Sequence, residues 1–203
     1  TFVNKCWLVL NTHNHRQFSA VSGNAEKNTH RPDIMKYDVE NFLRQQMPNL
    51  INILGDQKIS WTSVNSILER HINNVREEIN KTQKTVERDA TFFTILVEKF
   101  KGSNRADGMF DFFNNLFGSL NEILSEKEKK KINKIITSLL TKADKDYLNF
   151  IGELATLNKF MLTRHYDLLN IEEPIHEENN LSADIFLRHK LNQEEILVEV
   201  FNL

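Results

Sequence analysis

The sequence has few of the residues that interrupt helices. Its 203 residues include only 6 Gly and 3 Pro, whereas average usage of the two together is roughly 12 per cent. Few positions can therefore break a helix or build a tight turn. The single cysteine, Cys6, excludes an internal disulfide bond and is typical of a reducing compartment. We expect a cytoplasmic, mainly helical protein.

Other absences narrow the function. No run of about twenty apolar residues occurs, so we expect no membrane-spanning helix. With 26 basic and 28 acidic residues the formal net charge is −2, and no overall charge steers the chain to nucleic acid or to an anionic membrane. There is no GxSxG elbow and no glycine-rich phosphate loop. Because the chain begins with Thr1 rather than Met, we expect residues upstream.

The residues that are present can build a core. Apolar residues make up 40% of the chain, and 14 Phe argue against disorder. We predict a mainly α fold: a helical bundle with one long helix and a short N-terminal β-hairpin. Residues 1–31 form a short β/loop segment in this prediction, with strands near 6–10 and 18–21, and residues 32–203 form the helical domain.

Helical periodicity is the main signal after residue 34. Apolar residues recur at helical spacing over 34–54, where Pro48 kinks or splits the element, and then over roughly forty residues to Phe100. Residues 109–124 have the strongest amphipathic pattern, and Ser125 with Glu128 predicts a capping box for the next helix. A further helix is predicted to run to about Leu169. A short helix is predicted over 182–187, and 196–201 either continues it or forms a strand.

One candidate metal site lies near the start of the chain. His13 and His15 end an apolar run, and alternate side chains of an extended segment share a face, so both imidazoles could bind one metal ion. His30 and Asp33 could complete the site of a metal-dependent hydrolase or nuclease. The alternative is a polar turn with surface histidines. A second pattern, Asp33 with 56–58 (Asp-Gln-Lys), has the letters of a Mg²⁺ nuclease, but a helical segment precedes it.

A candidate interaction surface lies further along. Phe110, Phe113 and Phe117 follow one stripe of the helix at 109–124, and Lys129 and Lys130 belong to the lysine run that follows it. This stripe could bind a protein partner, or it could lie on an anionic membrane with lysines at the headgroups. The same pattern is typical of a core helix beside a solvated face.

Two Arg-His pairs complete the candidate residues. The pairs at 164–165 and 188–189 contain the residue types of helical ribonucleases. Adjacent residues point to different faces of a helix. We therefore interpret both pairs as polar surface residues.

Mainly apolar motifs follow one another at 91–96, 110–124, 132–141 and 164–169. In the order of these motifs, residues 91–170 resemble the helical region of the phage abortive infection proteins of bacteria. The similarity covers about eighty residues. The resemblance implies a helical protein acting in defence against phage, and the family offers no catalytic residues to transfer.

The expected function is therefore non-enzymatic: a helical module that binds a protein partner or a second copy of itself. No cofactor is expected under this hypothesis, and no strong signal favours nucleic acid. The alternatives are a hydrolase or nuclease with a divalent metal at the N-terminal histidines, and a protein that binds the membrane surface.

Overall fold

The computed structural model describes residues 4–10, 18–19, 37–55, 59–82, 87–88, 91–142, 147–176 and 181–202. Seven α-helices occur within these ranges: α1 (Val39–Gln46), α2 (Pro48–Leu54), α3 (Trp61–Thr82), α4 (Phe92–Phe100), α5 (Asp107–Ile123), α6 (Glu126–Thr141) and α7 (Tyr147–Leu162). A 3₁₀ turn at Asn104–Ala106 precedes α5. The prediction of a mainly α fold is confirmed.

Local signals set the ends of these helices. Asp38, Thr91 and Ser125 cap α1, α4 and α6, because each side chain accepts a hydrogen bond from the backbone N–H three residues on. Pro48 occupies the first turn of α2, where its missing N–H has no cost, so it divides the 34–54 pattern into two helices. Gly55, with φ 54°, ends α2.

The long amphipathic pattern before residue 100 forms two helices. α3 contains 22 residues, or about 33 Å at 1.5 Å per residue, and is the longest helix in the described part of the chain. α4 begins after its own N-cap, Thr91, which forms a capping box with Thr94. The periodicity predicts one long helix to Phe100, but the N-cap at Thr91 begins a second helix within that pattern.

The helices meet around a core rich in phenylalanine. The largest fully buried side chains include Phe92, Phe93, Phe110, Phe113 and Phe117. Such rings bury roughly 150–250 Å² each and dominate the energy of a core. α5 supplies three of the five and lies against both α2 and α7, so it is the central helix of the bundle.

A close contact joins α2 to α5. The Asn49 backbone N–H donates to Asn114 Oδ1 and its side-chain amide donates to the Asn114 C=O, both at 3.0 Å. Gly118 lies one turn further along α5, and a Cβ there would lie 2.7 Å from Asn49 Nδ2. The glycine therefore leaves room for the amide that joins the two helices.

The strands of the described residues form two sheets. The larger contains β1 (Asn4–Leu10), β4 (Tyr166–His176), β5 (Leu181–His189) and β6 (Glu195–Asn202) in the order β1-β6-β5-β4. β1 runs parallel to β6, and the other neighbours are antiparallel. The smaller sheet pairs β2 (Phe18–Ser19) with β3 (Glu87–Arg88).

The predicted N-terminal hairpin is wrong for the described residues. β1 pairs with β6 over its whole length, and β2 pairs with β3. A continuous apolar run suits a strand within a larger sheet better than an isolated two-stranded hairpin, which is marginally stable in water. The predicted boundary between residues 31 and 32 lies outside the described residues.

The helices predicted after residue 162 are also wrong. α7 ends at Leu162 because Arg164 takes a left-handed conformation, with φ 63°. Residues 182–187 lie in β5, where Ala183, Ile185 and Leu187 are buried and the residues between them are more exposed. Over six residues this alternation is easily mistaken for one turn of amphipathic helix. The run at 196–201 is a strand.

Side chains of α6 cover the outer edge of β4. The Leu168 N–H donates to Glu128 Oε1 at 3.0 Å, and the Leu168 C=O accepts from Lys131 Nζ. Both backbone groups of Leu168 are thereby bonded on the side away from β5. Free backbone groups on an edge strand invite pairing with another chain, so this contact protects the edge at Leu168 while it joins helix to sheet.

α7 lies between α5 and the sheet. On one side, Asn158 Oδ1 accepts from Ser119 Oγ of α5 at 2.7 Å. On the opposite side, the Phe160 ring meets the Tyr166 ring of β4 edge to face, with centroids 5.4 Å apart. The residues that share a face with Phe160 therefore point to the sheet.

Candidate functional site

Two polar residues lie on the sheet side of α7. Glu153 and Thr156 precede Phe160 by seven and four residues, so the three side chains share one helix face. Glu153 is half-buried and Thr156 is 1% exposed. An ionisable group and a hydroxyl therefore lie on the face of α7 that points to the sheet.

Three strands bring carboxylates to the same region. In the β4–β5 ladder Ile171 pairs with Ile185 and Glu173 with Ala183, so Glu172 is level with Asp184. The last pair of the β5–β6 ladder is Ile185 with Val198, both buried, so the adjacent Asp184 and Glu199 lie on the opposite face of the sheet. We call Glu153, Glu172, Asp184 and Glu199 the carboxylate site.

A backbone hydrogen bond holds Asp184 in place. The Val200 N–H donates to Asp184 Oδ2 at 2.6 Å, just beyond the last pair of the β5–β6 ladder. The Asp184 side chain thus replaces a backbone acceptor where β5 leaves β6. This contact fixes the carboxylate between the two strands.

Glu153 has the most perturbed carboxyl group of the site. Burial raises its pKa to about 8, and the charges of Asp184, Glu172 and Glu199 add to the effect, whereas Lys142 opposes it. Burial favours the neutral form of an acid, and nearby negative charges favour it further. Glu153 therefore keeps its proton at neutral pH in the metal-free protein.

Asp184 is perturbed in the same direction. Burial raises its pKa, the Val200 N–H lowers it and the charge of Glu172 raises it.

Thr156 adds an unsatisfied polar atom beside the carboxylates. Its Oγ1 is buried and has no hydrogen-bond partner. Buried hydroxyls in folded proteins are almost always bonded to protein or to ordered water. This atom lies one turn after Glu153 on the same face of α7.

Two lysines lie near the site in different ways. Lys134 of α6 forms an ion pair with Glu172, which takes a left-handed conformation with φ 52°. Lys142 follows α6, and its Nζ lies 5.2 Å from the centroid of the Phe150 ring. Glu172 thus has its own counter-charge.

The donor set indicates which cation would fit. Carboxylate oxygens are the ligands of Mg²⁺, Mn²⁺ and Ca²⁺, whereas Zn²⁺ prefers nitrogen and sulfur. In the described part of the chain, no three His, Cys, Asp or Glu side chains already stand as a set of metal ligands.

The metal ligands predicted from the N-terminal sequence cannot be compared with this site. His13, His15, His30 and Asp33 lie outside the described residues, and so does 56–58. Their role as metal ligands stays a prediction.

The predicted interaction residues are divided between core and surface. Phe110, Phe113 and Phe117 are at most 2% exposed and face the core. Lys129 forms an ion pair with Glu126, and Lys130 is exposed. Contact of the aromatic stripe with a membrane or a partner would require the rings to leave the core. Among the described residues, no helix is long and apolar enough to cross a membrane.

The two Arg-His pairs, predicted to lie on helices, lie next to each other at neighbouring ends of β4 and β5. Tyr166 pairs with His189 and Asp167 with Arg188 in the β4–β5 ladder. The His165 and His189 rings lie 6.0 Å apart, and His189 Nδ1 is buried without a hydrogen-bond partner. The repeated Arg-His dipeptide was the sequence signal, but only the strand register shows that the two copies meet.

Comparison with other proteins adds no relative. No family model, no curated protein and no solved structure matches the chain. The resemblance of residues 91–170 to phage abortive infection proteins therefore stays a prediction.

Proposed function

We propose that the protein is a Mg²⁺- or Mn²⁺-dependent hydrolase of phosphate esters, with a nuclease as the expected form. The cation would be held by Glu153, Asp184 and Glu199. The observation that carries this proposal is that the charges of Asp184 and Glu199, from two neighbouring strands, act on the half-buried carboxyl group of Glu153 on α7.

The chemistry of the ligands supports this reaction class. Mg²⁺ is commonly bound by a few carboxylates and completes its coordination with water and substrate phosphate oxygens. A cation in such a site neutralises charge on the phosphoryl group and activates water. In this chain Asp184 would be the most fixed ligand because its second contact is the Val200 backbone. Glu153 would lose its proton on binding.

Mn²⁺ binding tests the proposal directly. We expect saturable binding to the wild-type protein in titration calorimetry, and about tenfold weaker binding, or 1.4 kcal/mol, after Asp184→Asn or Glu199→Gln. Asp167→Asn is the matched control. It removes the charge of a β4 carboxylate that pairs with Lys190 at 3.4 Å and is not among the groups that act on Glu153.

Activity is the second measurement. Hydrolysis of bis(p-nitrophenyl) phosphate and of single- and double-stranded oligonucleotides should require added Mg²⁺ or Mn²⁺ and should be lost in Asp184→Asn. Absence of Mn²⁺ binding to the wild type, or equal weakening in Asp167→Asn, would exclude the proposed site.

We propose protein interaction as a second function, because two leucines at one end of the molecule are exposed. Leu162 at the end of α7 is 54% exposed, and Leu191 in the β5–β6 turn is 87% exposed. The Lys190 N–H donates to the His165 C=O at 2.8 Å and joins the two turns that follow α7 and β5. Such leucines suit a self-associating module or a defence protein that contacts a partner.

Light scattering after size exclusion tests this second function. We expect a dimer or larger species in the wild type that Leu162→Ser/Leu191→Ser converts to monomer. Exposed Phe112 supplies the control, Phe112→Ser. A monomer at all concentrations would remove self-association.

A further inference from the structure

The two histidines at the neighbouring ends of β4 and β5 are held in fixed positions. The ring centroids of His165 and His189 are 6.0 Å apart. The Lys190 N–H donates to the His165 C=O at 2.8 Å. The His189 N–H donates to the Glu194 C=O, also at 2.8 Å, and its ring meets the Tyr166 ring edge to face, with centroids 5.2 Å apart. Backbone and ring contacts therefore hold two imidazoles side by side.

The buried nitrogen of His189 indicates where the ring holds its hydrogen. His189 is half-buried, and its Nδ1 is buried without a hydrogen-bond partner among the described residues. In a neutral imidazole one nitrogen is a donor and the other an acceptor. A buried N–H without an acceptor is rarer in folded proteins than a buried acceptor without a donor. We therefore assign the hydrogen to Nε2, which makes that atom a donor and not a metal ligand.

Two carboxylates near the histidines are each paired with a cation. Asp167 Oδ1 lies 3.4 Å from Lys190 Nζ, and Glu195 Oε1 lies 2.8 Å from Arg188 Nη2. Arg164 directly precedes the first histidine and is exposed. Among the described residues, no carboxylate forms an ion pair with it. Its positive charge is therefore available to an anionic ligand.

We propose that His165, His189 and Arg164 form a binding site for a phosphoryl group. A phosphoryl group has several strong acceptor oxygens, and the guanidinium group of arginine matches them with two parallel N–H donors. The two imidazoles can donate to further oxygens of the same group. His165 and Arg164 are exposed, so the site is open enough for a free phosphate ester or for the backbone of a single-stranded nucleic acid.

This site is separate from the carboxylate site. Along β5, His189 is five residues from Asp184, or roughly 16 Å at about 3.3 Å per residue. A chelator removes the divalent cation that the carboxylates would need, whereas histidine and arginine donors bind phosphate without a metal. Phosphate binding in the presence of a chelator therefore tests this inference alone, and its result leaves the Mn²⁺ test of the proposed function unaffected.

Inorganic phosphate in the presence of EDTA is the first probe, and titration calorimetry measures its affinity. We expect saturable binding to the wild type, about tenfold weaker binding in Arg164→Gln and a several-fold loss in His165→Ala. His189→Gln retains an amide donor near the position of Nε2, so it should bind phosphate better than His189→Asn, whose shorter side chain reaches only the position of Nδ1. Arg70→Gln changes an exposed arginine of α3 and is the control, with the affinity of the wild type expected.

A labelled single-stranded oligonucleotide, measured by fluorescence anisotropy in the same buffer, separates the two sources of the phosphoryl group. Oligonucleotide binding whose logarithmic salt slope falls by about one in Arg164→Gln assigns it to a nucleic-acid backbone. Binding of phosphate and adenosine monophosphate alone assigns it to a free ester. If neither probe binds, or if Arg70→Gln weakens binding as much as Arg164→Gln, the inference is overturned. Zn²⁺ binding at the histidines in place of phosphate would also overturn it, and circular dichroism verifies that each variant is folded.

Discussion

Glu153→Gln should stabilise the metal-free protein at neutral pH. An unfolded glutamate loses its proton near the ordinary value of 4.5, whereas burial and neighbouring carboxylates hold the pKa of native Glu153 at about 8. Between these two pH values the native state binds more protons than the unfolded state. The free energy of unfolding therefore falls as pH rises through this range. Glutamine has nearly the same shape and no proton to lose, so it removes the penalty.

The size of the effect follows from the same pKa values. Each pH unit within the window corresponds to about 1.4 kcal/mol, which sets an upper bound of about 3 kcal/mol at pH 7. The Glu153 side chain is half-buried, and access of water and movement of the side chain reduce the free-energy cost of ionising it. We therefore expect Glu153→Gln to gain about 1–2 kcal/mol at pH 7 and almost nothing near pH 4.5.

Urea unfolding followed by circular dichroism from pH 4.5 to 8, in the presence of a chelator, measures this difference. The gap between variant and wild type should widen steadily with pH. Asp167→Asn is the control and should give no widening gap. A gap that stays constant with pH, or a variant less stable than the wild type at pH 7, would refute the reasoning, because Glu153 would then be ionised and favourably paired.

Three further predictions concern the packing around the site. Gly118→Ala should lower the free energy of unfolding, measured with urea, by about 1–3 kcal/mol, because a Cβ would lie 2.7 Å from Asn49 Nδ2. Adding Asn49→Ala should recover part of that loss. Glu128→Ala should cost about 1–3 kcal/mol at pH 7 by leaving the Leu168 N–H unbonded. Burial alone would raise the pKa of Glu128, but hydrogen bonds from Ser125 and Leu168 lower it overall. The greater stability of the wild type should therefore disappear as pH falls through that pKa. A difference in stability that does not depend on pH would contradict this. Leu187→Ala should cost about 2–5 kcal/mol, because Leu187 is fully buried, and a cost below 1 kcal/mol would show that the sheet is not part of the core.

The helices that sequence reasoning located are those with local signals. The pattern at 109–124 corresponds to α5 (Asp107–Ile123), and the capping box at Ser125 starts α6 as predicted. A cap and an i, i+3, i+4 pattern involve residues a few positions apart, so the sequence contains them directly. The division between α3 and α4 was harder, because one apolar stripe continues across both helices.

The strands depend on contacts that the sequence does not display. β6 pairs with β5 on one side and with β1, almost two hundred residues earlier, on the other. Burial on the sheet is what selects strand over helix for runs this short. The carboxylate site was missed for the same reason. Its residues come from four elements, and a helical reading of 182–187 leaves Asp184 as one more polar residue on a helix surface.

The positions of Asp184 and Glu199 contain no separate signal for the site. Asp184 lies between the buried Ala183 and Ile185, and Glu199 follows the buried Val198. Polar residues at alternate positions are what the more exposed face of any strand shows. The two carboxylates therefore resemble ordinary surface residues of a strand.

The penalty carried by Glu153 also gives the proposed cation a measurable consequence. A cation binds the ionised form of the carboxylates, so it should lower the pKa of Glu153 and stabilise the native state by about 2.7 kcal/mol at a concentration one hundred times the dissociation constant. With Mg²⁺ present, the decline in stability between pH 4.5 and 8 should become flat or reverse, because proton loss then permits binding. Asp184→Asn should show the metal-free decline whether or not Mg²⁺ is added. If Mg²⁺ leaves the wild-type curve unchanged, the buried carboxylates do not serve a cation, and protein interaction becomes the better-supported function.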